Sequence, residues 1–263
     1  MTSVKLPNLT KRSIWVYNFV MDKNRTKELA ERSLNKNIFV YTDFLNEQHQ
    51  SELKNAYPQN FVTFWGGAEF AERKIARFGT PDDVSYSEDF PLCVLKIRTL
   101  GGKFSTQMSH RDVLGALMAL GIVREKVGDI FVSDNSCFAI VHQSIAEFVV
   151  QNLTSVGKNN VSVTQETSVD DAFAPQKDVR KFSAQSNRLD AIVCKTFNLS
   201  REKACELAAT GKIFVDGTPC EKTARVLKVG EKVSVRGYGK FEFVGVCGTS
   251  KKGKTYFCVE VYI

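Results

Sequence analysis

Seven cysteines are scattered through the 263 residues, an odd count with no Cys-x-x-Cys pair. A structural zinc site needs thiolates paired at short spacing and a disulfide framework needs an even set, so the pattern argues against both. The expectation is free, buried thiols in a reducing compartment. Histidine is scarcer: His49, His110 and His142 stand apart without ligand spacing. No metal site is expected, and no Ser/His/Asp or Cys/His set offers a nucleophile. No apolar run reaches the roughly eighteen residues that a membrane-spanning helix requires. The opening stretch places Lys5, Lys11 and Arg12 ahead of a mixed segment, which is not the basic-then-apolar order of a secretory leader.

What is present suits a folded chain with a sizeable core: 43% of residues are apolar, 25% are charged and nineteen are Phe. The length predicts two or three domains. The net charge of +7 is unevenly spread. From 176 to 263 there are seventeen Lys/Arg against nine Asp/Glu, a net +8, whereas 1–175 carry nineteen against twenty, a net −1. A basic third on a near-neutral body is the footprint of a polyanion-binding module, the alternative being a solvated lysine-rich surface.

The fold class read from the pattern is α+β and multidomain. Residues 1–78 form a mostly helical segment, with candidate helices Arg25–Leu34 and Glu47–Tyr57 and an apolar strand Phe61–Trp65 ended by Gly66-Gly67. Residues 79–165 read as β-α-β-β-α-β, a ferredoxin-like or RNA-recognition-like order. The strands are Leu92–Arg98, Asp129–Ser133, Cys137–His142 and Asn160–Thr164. The helices are Ser109–Leu120, opened by a Ser109/Asp112 capping box and stopped by Gly121, and Ile145–Leu153. Asp134-Asn135-Ser136 is a hairpin turn signal. Residues 166–181 are polar, carry Asp170-Asp171 and Pro175, and read as a linker. Residues 182–263 form the basic module.

In that module Asn187-Arg188-Leu189-Asp190 opens an amphipathic helix through Phe197, and Ser200 is placed to cap a second, Arg201–Thr210. Gly211 ends it, Lys212–Gly217 is a strand running into a turn, Lys222–Arg225 is a basic loop, and Val226–Arg236 holds another strand. Two strands, Phe241–Val246 and Thr255–Tyr262, flank a glycine-bounded tip carrying Lys251, Lys252 and Lys254. Cations beside helix N-termini suit a phosphate backbone, because free N–H groups and Arg/Lys both face the anion.

Arg188-Leu-Asp190, Ser200-Arg201-x-x-Ala204-x-x-Leu207, Gly211-Lys-Ile-x-Val-Asp-Gly217 and Val229-Gly-Glu-x-Val-x-Val-Arg236, taken together, resemble the S-four domain. That is the αL RNA-binding motif of ribosomal protein four, of pseudouridine synthases and of tyrosyl-tRNA synthetases. The resemblance implies an RNA-facing surface of Arg188, Arg201, Lys203, Lys212, Lys222 and Arg225. Lys195, Arg236, Lys240 and the lysines of the hairpin tip extend it. Asp190 is implied to orient a neighbouring Arg. Asp216 departs from the usual Asn and is left out of the contact surface.

Ser109-His-Arg-Asp-x-Leu-Gly115, Leu120-Gly-Ile-x-Arg124, Gly128-Asp-Ile130 and Arg236-Gly-x-Gly-Lys-Phe241 make nearly all of the chain after about Phe39 similar to the bacterial YlmH family. The resemblance implies a cytoplasmic, non-catalytic protein that docks on rRNA and tRNA at the large ribosomal subunit in rescue of stalled translation. No cofactor, small-molecule substrate or membrane contact is implied. An RNA-modifying enzyme targeted by an S-four domain, and a protein-interaction module in a cell-division context, remain the competing classes.

Three motifs mimic enzymes. Gly66-Gly-Ala-Glu-Phe70 resembles a diguanylate cyclase signature, but Ala68 cannot bind the metal that chemistry needs. His110-Arg-Asp112 mimics a kinase catalytic loop, yet Leu117 stands where Asn is required. Asp112 is better read as a cap partner, with His110 and Arg111 as a secondary phosphate contact at a helix N-terminus. Arg98-Thr-Leu-Gly-Gly-Lys103 lacks P-loop spacing and reads as a turn. Strands Leu92–Arg98 and Cys137–His142 lack the paired aromatics of an RNA-recognition motif: Phe138 stands alone on them, too few for base stacking.

Overall fold

Three antiparallel sheets organise the computed structural model, which describes residues 23–82, 84, 86–101, 106–133, 136–250 and 254–263. The first sheet has strand order β1-β3-β2, from Val40–Leu45 (β1), Val62–Trp65 (β2) and Lys74–Phe78 (β3). Helix α1 (Lys23–Lys36) packs on it through Thr26, Ala30 and Ser33, all buried and spaced along one helical face. Helix α2 (Glu47–Ala56) starts where the Asn46 side chain accepts from the His49 N–H at 2.9 Å. The mostly helical expectation for 1–78 is therefore corrected over the described part. β1 and β3 are short and interrupted by charged or polar residues, so neither shows a period long enough to read. They become strands because Val40, Ala76 and Phe78 bury together on one face and Phe44 and Ile75 on the other.

The second sheet has order β5-β6-β4-β8-β7, from Leu92–Thr99 (β4), Val127–Val132 (β5), Ser136–His142 (β6), Ser155–Val156 (β7) and Asn159–Glu166 (β8). Helices α3 (His110–Ala119) and α4 (Gln143–Asn152) fall between β4 and β5 and between β6 and β7. The elements thus run β-α-β-β-α-β, with the short β7 added before the last strand. Ser109 and Asp112 form the capping box, and Gly121 has φ +81° just beyond α3. Asp134 and Asn135 of the turn signal, and Gly102 and Lys103, lie outside the described residues.

Alternation decides what each face meets. Leu95, Ile97, Cys137, Ala139 and Val141 pack under α3 and α4. Val94, Phe138 and Ile140 point the other way, into a cluster with Phe44, Ala68, Ala71 and Ile75 from the first sheet's elements. Both faces are covered, which is why β6 reads as one continuous apolar run. Packing therefore crosses residue 78, where the sequence pattern divides the chain. Arg73 bolts the two parts together: its guanidinium donates to the carbonyls of Val127 at 3.0 Å and Phe44 at 3.1 Å. Asp129 answers by accepting from the backbone N–H groups of Glu72 and Arg73. Burial holds the Arg73 pKa down at about 10.

The third sheet has six strands in the order β11-β10-β12-β13-β14-β9. They are Lys177–Ser183 (β9), Ile213–Val215 (β10), Thr218–Pro219 (β11), Lys232–Val235 (β12), Gly239–Thr249 (β13) and Thr255–Tyr262 (β14). Helices α5 (Leu189–Phe197) and α6 (Arg201–Ala209) close one face over Ile213, Val233, Phe241, Phe243 and Val259. Phe241 and Phe243 are almost fully buried, each contributing about 1.5–3 kcal/mol.

Two expectations change here. The linker read over 166–181 is corrected: β9 pairs with β14 over its whole length, Val169 is buried, and Phe173 packs edge-on against Phe138 at 5.1 Å. Its partner strand lies some eighty residues away, and as an edge strand it needs no alternating pattern, so local sequence carries no sign of it. The expectation of free thiols throughout is corrected as well, because Cys247 and Cys258 are disulfide-bonded with Cα atoms 5.8 Å apart. A register shift between Val246 and Gly248 brings Cys247 beside Cys258 on the neighbouring strand. Cys93, Cys137, Cys194, Cys205 and Cys220 are free.

Candidate nucleic-acid interface

The basic residues anticipated in the last third separate into three kinds of setting. The first surrounds the start of α5. Arg188 occupies its N-cap position, and its guanidinium donates to both oxygens of Asp190, at 3.1 and 2.9 Å. Asp190 is only 4% exposed, so a buried carboxylate orients a half-exposed arginine. The Lys222–Arg225 loop is tied alongside, because Leu189 N–H donates to the Arg225 carbonyl and Asp190 N–H to that of Thr223. Arg225 is held in turn by the buried Glu231 at 2.5 Å, and that carboxylate also accepts from Lys228 N–H. The loop thus presents exposed Lys222 and Arg225 beside Arg188 on a braced frame.

The second setting is a cleft of about 680 Å³ lined by Ala191, Cys194 and Lys195 of α5, Leu199, Arg201 of α6, Ser183–Gln185, and Lys254–Thr255. Ser200 caps α6 by accepting from Lys203 N–H at 3.1 Å, which places Arg201 in the first turn beside free N–H groups. Burial and the nearby Asp190 carboxylate push the Cys194 thiol pKa up, while the neighbouring Arg201 pulls it down. Lys203 is less free: it pairs with Glu206 at 2.9 Å.

The third lies along the sheet. Lys212 is exposed after Gly211, and the Arg236 guanidinium sits 4.8 Å over the Phe214 ring. Asp216 and Gly217 both have positive φ, 47° and 73°, as a tight hairpin between β10 and β11 requires. The Asp216 carboxylate accepts from Lys232 N–H at 2.9 Å, so this position shapes a turn.

Lys240 is a correction. It is 16% exposed, with Nζ 2.7 Å from Glu47 and 2.8 Å from Glu72, and serves as an ionic bolt to the first sheet's elements. Gly217 seats the same contact, because a Cβ there would lie 2.5 Å from the Gln48 backbone nitrogen. Lys251 and Lys252 lie outside the described residues, while Lys254 is exposed at the cleft mouth.

His110 and Arg111 are exposed in the first turn of α3, on the second sheet, where Arg111 borders a groove of about 520 Å³. His142 caps α4: its ring nitrogen accepts from Ser144 N–H at 3.1 Å. Phe138 is buried between Phe173 and the Lys96 ammonium, so it offers no ring to a base. Lys181, exposed on β9, lies over the Tyr256 ring at 5.2 Å. Only the pairing of β9 with β14 reveals it. Among the described residues no His/Cys/Asp/Glu group could hold a metal ion, and no helix is long and apolar enough to cross a membrane.

Residues 86–170 match a family model described as "Putative RNA-binding domain in YlmH". The chain is 34% identical over 221 residues to "Ribosome-associated protein quality control protein P2" of Bacillus subtilis (strain 168), covering 81% of this chain and 83% of that protein. A solved structure titled "Cell division protein ylmH from Streptococcus pneumoniae" aligns with a TM-score of 0.45 at 16% identity, covering 62% of this chain and 96% of that one.

Proposed function

The chain belongs to the YlmH family, and from that premise we propose a non-catalytic protein that docks on rRNA and tRNA at the large ribosomal subunit. The name of the Bacillus relative supports a role in ribosome-associated protein quality control, which here means the rescue of stalled translation in the cytoplasm. Residues 182–263 act as the S-four RNA-binding domain, and the RNA-recognition-like unit of 79–165 sets where that domain sits.

The observation that carries this reading is the braced Arg188–Asp190 pair at the start of α5, with Lys222, Arg225 and Arg201 presented around the α5–α6 pair. A buried carboxylate that fixes an outward arginine favours a fixed array of phosphates over diffuse attraction, and the first N–H groups of α6 can add to it. The covered face of the second sheet leaves the edges and helices of 79–165 as its RNA-accessible parts, which gives His110 and Arg111 a secondary role.

Ribosome co-sedimentation tests the reading. The wild-type chain should travel with the large subunit and dissociate steeply as salt rises, because each neutralised phosphate releases counterions. Affinity that hardly changes between low and physiological salt would overturn the backbone-grip model.

A further inference from the structure

We propose that the cleft beside α5 receives a single unstacked ribonucleotide, so that the basic module selects RNA with a bulged or looped-out residue over continuous duplex. This rests on the RNA-binding reading and adds the kind of RNA recognised. The cleft, at about 680 Å³, falls within the range of pockets that enclose small organic groups. A surface serving phosphates alone needs no apolar floor, yet Ala191, Cys194 and Leu199 supply one here. Its rim carries Lys195, Arg201 and Lys254. Among the described residues none of these three has an acidic partner, whereas Arg188, Lys203, Arg225 and Lys240 are all ion-paired.

Unpaired cations around an apolar floor fit a nucleotide with its base inward and its flanking phosphates at the rim. The Arg201 guanidinium plane can lie on a base face, and Gln185 and Thr255 can meet base edges. A base inside a duplex must first be unpaired and unstacked, which is costly, whereas a bulged base is already unpaired and need only leave its stacking neighbours. Selection for bulges follows from that difference.

The test uses the full chain and two RNA hairpins, one fully paired and one carrying a single bulged 2-aminopurine. The bulged hairpin should bind about tenfold tighter, as one base contact supplies. The emission of 2-aminopurine should rise as it leaves its neighbours. Cys194→Phe, which fills the floor, should bring the bulged hairpin down to the affinity of the paired one. Free adenosine monophosphate should bind far more weakly than the bulged hairpin. Equal affinity for both hairpins, or unchanged emission in the wild-type complex, overturns the proposal and leaves the backbone-grip reading standing. Adenosine monophosphate binding as tightly as the bulged hairpin overturns it in favour of a free-nucleotide site. Failure of both hairpins to bind defeats the RNA-binding reading itself. The wild-type emission measurement decides the matter even if Cys194→Phe does not fold.

Discussion

Arg188 and Arg201 carry the same charge at the starts of adjacent helices, yet their surroundings separate what each does. Arg188 neutralises the buried Asp190, so Arg188→Ala should weaken RNA binding and also destabilise the fold. The stability loss should be on the order of 1–3 kcal/mol, the cost of leaving a buried acceptor unsatisfied. Arg201 has no acidic partner among the described residues. Arg201→Ala should therefore cost about 1–3 kcal/mol of binding, as for a charge-assisted hydrogen bond. Its urea midpoint should stay at the wild-type value. Equal midpoints for both variants would show that Asp190 does not depend on Arg188. The sequence pattern supplied both arginines as candidates, but it could not rank them, because burial of Asp190 is created by packing of the Thr223–Arg225 loop against α5.

Caps make two elements testable on their own. Ser200 is the side-chain cap of α6, so Ser200→Ala should cost about 0.5–2 kcal/mol in denaturant unfolding and fray the turn that positions Arg201. At α3, hydrogen bonds from the Ser109 hydroxyl and backbone hold the Asp112 carboxyl below its ordinary range. A lowered folded-state pKa means that the stabilisation is present at neutral pH and fades as acid protonates the carboxylate. Amide protection in the first turn of α3, taken relative to the intrinsic exchange rate at each pH, should thus fall as pH drops below the usual carboxylate range, and Ser109→Ala, which keeps only the backbone bond to Asp112, should weaken that dependence. Acid-independent protection in the wild type would contradict the capping box. These elements were legible because cap, apolar face and stop signal lie within a dozen residues of one another. β1, β3 and β9 were not, since each is defined by a partner strand and has no pattern of its own.

Contacts between the sheets decide how the molecule is held together. Lys240 reaches Glu47 and Glu72 across the junction of the third sheet with α2, and Lys232 stands 3.9 Å from Glu47. Lys240→Gln should loosen that junction and raise the radius of gyration in small-angle scattering. RNA affinity should stay within about twofold, because a lysine already neutralised by two carboxylates releases few counterions. Glu47→Gln with Glu72→Gln should reproduce the expansion. A large drop in RNA affinity for Lys240→Gln, without expansion, would return Lys240 to the contact surface.

Composition and local spacing were enough to place the positive charge in the last third, the two helices that carry it, their caps and the β-α-β-β-α-β order of the middle segment. All of these depend on neighbours within a few residues, where periodicity, capping and turn chemistry act. Tertiary structure alone decided which cations are free and which are spent on carboxylates, as Lys240 is on Glu47 some 193 positions away. It also decided that Phe138 is covered, that β9 completes a sheet, and that Cys247 meets Cys258. Each of these is a meeting of distant segments, and the burial that sets the worth of a charge or a ring exists only once they have met.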